Sequence, residues 1–173
     1  MNNKKIVSVA GYVYTAFLAA ILVCIDQLIG KFMPIGDGKG FVYLAFVAWA
    51  VYFFAGASVT GGIKAMIGYV VGVSFCVAIV LLAGVFSSLG FFAIPLAVLI
   101  IISPVLYLEN VPWFDMLAAS FAGAGCYFGI ITYVPEATLG SAAFILLFYG
   151  FLGLLWGWFT IIGRVAIAKA FEK

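Results

Sequence analysis

Lys64 is the charge whose setting points most directly to chemistry. It follows two adjacent glycines in Ser58-Val59-Thr60-Gly61-Gly62-Ile63-Lys64. Paired glycines release the backbone from helical geometry. A helix broken within a membrane must be buried in protein or line a watery cavity. The next helix would aim its N-terminal amides, with their partial positive charge, at that cavity. Lys64 would then help bind a polar or anionic solute. The plainer reading is a tight cytoplasmic turn, with Lys64 reaching for the interface as a topology anchor. Asp26 is the most deeply embedded acid, about 30 Å along the first apolar run at 1.5 Å per residue. It reads either as an acid at a pore mouth, paired with Lys31 a turn or so away, or as a solvated helix end. Tyr52 and Tyr127 fall in the middle of apolar runs, followed by Phe53 and Phe128. A mid-membrane tyrosine needs a partner for its hydroxyl, so both are expected to face the interior.

Other chemistry is excluded by what is missing. The chain has no histidine, which removes imidazole acid–base catalysis and imidazole metal ligation. Cys24, Cys76 and Cys126 lie in separate apolar runs and form no CxxC pair, so they read as small apolar residues rather than a metal site or disulfide framework. Glu109, Asp115 and Glu136 sit in turns and read as loop charges. No nucleophile or acid–base constellation appears, so neither an enzyme nor a cofactor is expected.

Long apolar helices must position these residues. Hydrophobic residues make up 68% of the 173-residue chain and charged residues 8%, against roughly 45–50% and 25% in soluble domains. A fold that apolar has no polar coat to present to water. The expectation is an all-α integral membrane protein, a single transmembrane domain over residues 1–173 with about six transmembrane helices. The spans run from Ile6 to about Met33, Phe41 to Val59, Ile63 to Phe86, Phe91 to Leu108, Met116 to Val134 and Leu139 to Gly163. Pro34 to Gly40, Thr60-Gly61-Gly62, Ser87 to Gly90, Glu109 to Asp115 and Pro135-Glu136 separate them, because Gly, Pro and charge interrupt apolar helices. Pro95 and Pro104 could each kink the fourth span. The boundaries at 63 and 91 leave a five-crossing or re-entrant arrangement open. The first run is too long for a signal peptide and is expected to be retained.

Lysine and arginine set the orientation. With the N-terminus in the cytoplasm, Lys4, Lys5, Lys64, Arg164, Lys169 and Lys173 lie inside, and only Lys31 and Lys39 outside. Both termini are therefore expected in the cytoplasm. The net charge of +2 reflects this bias, and no basic patch for nucleic acid is present.

Phe46 to Phe53 aligns with Phe121 to Phe128 at an offset of 75 residues. Extending that offset divides the chain into halves 6–86 and 87–163, each with three spans. Three is odd, so the halves would insert in opposite directions, as in the inverted repeats of many channels and transporters. Gly68 with Gly72, Gly125 with Gly129 and Gly153 with Gly157 each place two glycines on one helix face. Such faces let helices approach closely, within a bundle or between protomers, and a homo-oligomer is expected. Ala118, Ala119, Ala122 and Gly123 extend the small face of the fifth span. Trp113, Trp156 and Trp158 are expected in interfacial belts, and Trp49 in packing.

The chain resembles the YcdZ-type family of small bacterial inner-membrane proteins. The resemblance is carried by Ala50-Val51-Tyr52-Phe53-Phe54-Ala55, by Gly61-Gly62-Ile63-Lys64, and by Val111-Pro112-Trp113-Phe114, within residues 41–163. The segment between Phe54 and Gly61 departs from the family pattern in holding no proline or cysteine. The resemblance implies a bacterial inner-membrane location and leaves function open. The residues themselves point to a channel or facilitator for a small polar solute such as urea, a short carboxylate or ammonia. The scarcity of buried ionisable groups argues against an ion-coupled pump. The other reading is a non-transporting membrane subunit that scaffolds a partner.

Overall fold

The computed structural model describes residues 3–171, in which six α-helices and no strand occur. They are α1 (Asn3–Ile29), α2 (Val42–Phe54), α3 (Val59–Val85), α4 (Ala93–Val105), α5 (Leu117–Tyr133) and α6 (Leu139–Phe171). Short 3-10 turns at Gly30–Phe32, Ser87–Phe92 and Leu106–Asn110 extend α1 and flank α4. Four helical stretches are long and apolar enough to cross a membrane: Lys5–Phe32, Val59–Val85, Ser87–Asn110 and Leu139–Phe171. The remaining two, α2 and α5, have 13 and 17 residues. At 1.5 Å per residue, α2 reaches only about 20 Å, short of a bilayer's hydrocarbon core of roughly 30 Å.

The end of α2 corrects the expected break. Gly61 and Gly62 do not interrupt a helix; they lie in the first turn of α3. The chain leaves α2 at Gly56, whose φ of +83° suits a residue without Cβ. The Gly56 amide donates to the Phe53 carbonyl at 3.1 Å and the Ala57 amide to Tyr52 at 3.1 Å, a Schellman-type stop. Ser58 then caps α3, its hydroxyl accepting from the Gly61 amide at 3.1 Å. Gly61 is needed here for space, since a Cβ would strike the Ala55 carbonyl oxygen. At the start of α6, Thr138 and Ser141 cap each other's amides at 2.9 and 3.1 Å. The prolines of α4 avoid its middle. Pro95 stands in the first turn, where its missing amide hydrogen leaves no bond unmade, and Pro104 precedes the change to 3-10 geometry at Leu106.

The core lies between α2, α3, α5 and α6. α2 packs chiefly on α6, and α5 chiefly on α3. α1 lies outside against α6, and α4 outside against α3. Glycine makes both inner seams tight. A side chain on Gly153 would run into the Ala45 carbonyl, and one on Gly72 into the Ser120 carbonyl, 75 residues further along. The outside is apolar: Val13 and Phe17 of α1, and Ile94 and Leu99 of α4, stand exposed. An exterior of that kind is compatible with lipid and not with a free aqueous surface.

Candidate functional site

Four tyrosines occupy the interior: Tyr52 on α2, Tyr69 on α3, Tyr127 on α5 and Tyr149 on α6, each at most 2% exposed. Their positions follow from glycine neighbours. The Tyr52 ring lies between Gly62 of α3 and Gly157 of α6, and Tyr69 lies between Gly123 of α5 and Gly150 of α6. The four hydroxyls divide into two kinds. Tyr127 donates to the Leu139 carbonyl at 3.0 Å, and Tyr149 donates to Asp26 Oδ1 at 2.6 Å. The hydroxyls of Tyr52 and Tyr69 are buried without a protein partner. An unpaired hydroxyl in an apolar interior is unfavourable by about 1–3 kcal/mol relative to a bonded one, so each calls for a reason. Tyr52 also lines an apolar groove of about 440 Å³ between α2, α3 and α6, together with Gly62, Ile63, Met66, Leu154 and Trp158.

Asp26 is buried, with 7% of its surface exposed. This corrects the reading of it as a solvated helix end, and its hydrogen-bond partner is Tyr149 rather than Lys31. Its bond to Tyr149 spans 123 residues of sequence. The segment after α1 folds back over it. Gly40 stands so close that a Cβ there would strike the carboxylate, Gly30 backs onto Gly40, and the Phe41 ring meets Tyr149 edge-on at 6.0 Å.

Lys64 is engaged as well. Its Nζ donates to Asp115 Oδ2 at 2.7 Å, the one ion pair among the described residues. Asp115, expected as a plain loop charge, thereby ties the turn before α5 to the first turns of α3. Hydrogen bonding and attraction from Lys64 hold its carboxyl below the usual aspartate range. The two line a cavity of about 310 Å³ with Ser58, Thr60 and Gly61. The two side chains are 28% and 38% exposed, so water screens the pair.

The remaining candidates are dispersed. Phe53 is 41% exposed on the outer surface, and Phe128 is half-buried. Gly68, Gly72, Gly153 and Gly157 face into the bundle, whereas nothing lies within 4 Å of where a Cβ on Gly125 or Gly129 would sit. Trp156 is not in an interfacial belt: it is buried and donates from Nε1 to the Leu18 carbonyl at 2.9 Å. Trp49 is buried, its ring stacked on Phe46 at 6.0 Å. The three cysteines are free thiols, and no group of three potential metal ligands occurs among the described residues. Lys173 and the side chain of Lys4, both used for orientation, lie outside the described residues.

The interior tyrosines and the paired seams of glycine are features of most of the chain, and so is its family match. The family described as "Protein of unknown function (DUF1097)" matches residues 13–160. The chain belongs to that family. No curated protein and no solved structure matches it. The matched region of this DUF1097 chain takes in all four buried tyrosines, Asp26, and both partners of the Lys64–Asp115 pair.

Proposed function

We propose that the protein is a channel or facilitator for a small polar solute, built from two inverted three-helix repeats in the bacterial inner membrane with both termini in the cytoplasm. The observation that carries this reading is the pair of short helices. α2 and α5 begin at Val42 and Leu117, 75 residues apart, the same offset as the sequence repeat. Unusually short apolar segments in corresponding positions of two halves are where transporters build their solute sites, because a helix that stops inside the bundle leaves polar backbone there. The packing supports the repeat: α2 on α6 answers α5 on α3, and α1 on α6 answers α4 on α3. The unpaired hydroxyls of Tyr52 and Tyr69, with Trp49 Nε1 and Ser120 Oγ, would supply hydrogen-bonding groups to a solute within the bundle, and a few such groups plus a narrow bore suffice for selection. The Lys64–Asp115 pair supports placing the turns before α3 and α5 on one side of the membrane, as the cytoplasmic topology requires. The resemblance to YcdZ-type proteins supports the inner-membrane location, and the reading involves no catalysis and no cofactor.

The test is permeation. Purified protein in liposomes would be followed by stopped-flow light scattering with urea, glycerol, formate, acetate and ammonium, alongside protein-free vesicles and a Lys64→Ala variant. At least one solute is expected to equilibrate faster than in empty vesicles. Rates equal to empty vesicles for the whole panel, with folded protein confirmed, would remove the reading. A change in Lys64→Ala would put Lys64 on the path, and no change would leave it a topology anchor.

One observation favours a second reading, a non-transporting subunit. Gly125 and Gly129 turn an unoccupied small-residue face of α5 outward. That face suits another copy of the chain or a partner helix.

A further inference from the structure

Asp26 bears on which solute would pass. Aspartate is the one charged residue type in the buried set of the described residues, where its companions are Ser120 and Thr160. Ionisable groups inside a membrane bundle are unfavourable and tend to mark solute or ion paths. A carboxylate has acceptor capacity for about four hydrogen bonds. Tyr149 supplies one, at 2.6 Å on Oδ1. No lysine or arginine among the described residues comes within salt-bridge reach of it, the sole such contact being Lys64–Asp115. Lys31 and Lys39, on the covering segment, are exposed. The carboxylate therefore sits beneath a glycine-rich cover with acceptor capacity to spare and no cationic side chain to offset its charge.

From this we infer that Asp26 and Tyr149 together form a recognition site for a small nitrogenous solute that donates N–H hydrogen bonds, the class of ammonium, methylammonium and urea. The inference rests on the permeation reading and narrows it. An N–H donor satisfies the free lone pairs of Asp26, and a positive charge also offsets the buried negative one. The Tyr149 hydroxyl, already donating to Asp26 and engaged by the Phe41 backbone amide, keeps one lone pair for a further N–H. A carboxylate solute meets the opposite: repulsion from Asp26, and no compensating cation, because Lys64 is neutralised by Asp115. Short carboxylates thus drop out of the solutes that the sequence admits.

The experiment uses the full chain in liposomes, with matched gradients of ammonium, methylammonium, urea, formate and acetate. Asp26→Asn and Tyr149→Phe are run beside it. In the unmodified protein at least one nitrogenous solute is expected to pass 10-fold or more faster than either carboxylate. Asp26→Asn is expected to lower that rate at least 10-fold, and Tyr149→Phe several-fold. Formate or acetate passing as fast as the nitrogenous solutes would overturn the inference while leaving the permeation reading intact. So would an unchanged profile in folded Asp26→Asn. The selectivity of the unmodified protein decides the matter even where the variants fail to fold. If no solute passes faster than in empty vesicles, the permeation reading falls, and calorimetric titration with ammonium and methylammonium decides the site. Binding lost in Tyr149→Phe sustains it; absence of binding ends it.

Discussion

α2 seated on α6 and α5 seated on α3 are matched arrangements that end differently at one atom. Each short helix offers a tyrosine to the interior, Tyr52 and Tyr127, 75 residues apart. Tyr127 closes its hydrogen bond on the carbonyl of Leu139, the first residue of α6. Tyr52 closes none. The backbone geometry accounts for the difference. α5 is 17 residues long, and α6 begins after the turn Val134–Thr138, close enough for its first carbonyl to reach the Tyr127 hydroxyl. α2 stops after 13 residues at Phe54, just before the turn at Gly56, and its tyrosine is wedged between Gly62 and Gly157 instead. A bonded tyrosine holds two elements together; an unbonded one keeps a polar atom available. The two halves thus divide stability from availability, although they are built on one pattern.

The sharpest way to break the comparison is at the seams that the halves share. Gly72→Val and Gly153→Val each place a side chain against a backbone carbonyl, which cannot move without shifting a helix. Overpacking of this kind is unfavourable by about 1–3 kcal/mol and occasionally more. Both variants should lose stability by similar amounts in thermal unfolding in detergent. Gly125→Val, where the space is open, should leave the monomer's unfolding unchanged and alter only its association. Unequal losses at Gly72 and Gly153 would show that the two seams are not equivalent.

Next in size is the tyrosine pair itself. Tyr127→Phe removes a hydrogen bond and leaves the Leu139 carbonyl without it; interhelical bonds in membranes average about 0.6 kcal/mol and reach about 1.7. A loss near 1 kcal/mol is expected, with permeation retained. Tyr52→Phe removes a hydroxyl that has no partner, so stability should hold or rise slightly, while solute flux falls. The reverse outcome, with Tyr52→Phe destabilising and flux unchanged, would make Tyr52 the structural member of the pair.

Some of this was legible in the sequence because it depends on local chemistry. The turn from Pro34 to Gly40, the start of α5 near Met116 and the start of α6 at Leu139 follow from proline, glycine and capping residues that act over a few positions. The end of α2 follows from equally local chemistry, but Gly56 was overshadowed by the more conspicuous Gly61-Gly62. Those two glycines answer a different need, close approach rather than a break. The burial of Asp26 could not be read locally. It depends on Tyr149, 123 residues away, and on Gly40 folding back across the helix end. Tyr69 and Tyr149 stand beside glycines in sequence, Gly68 and Gly150, and that adjacency was the available signal for them. Trp156 reads as an interfacial residue by type, and only the packing of α1 on α6 brings the Leu18 carbonyl to its indole.

The smallest effect is expected where water screens the contact, at the Lys64–Asp115 pair, and it sharpens the contrast between a tie and a site. Both side chains are partly exposed, so Asp115→Asn should shift unfolding only slightly, and less still at high salt. The pH dependence has a definite sign. The carboxyl of Asp115 is held below its ordinary range in the folded state, so its contribution is present above the unfolded value of about 3.9. It is lost as pH falls through the lower folded value, where the carboxylate takes up its proton and the attraction to Lys64 ends. Stability measured from pH 6 down to about 2 should therefore fall slightly more steeply for the unmodified protein than for Asp115→Asn. If the two curves run parallel, the pair does not stabilise the fold. Its closeness would then reflect shared siting on one face of the bundle, and Lys64 would be as free to meet a solute as Tyr52 is.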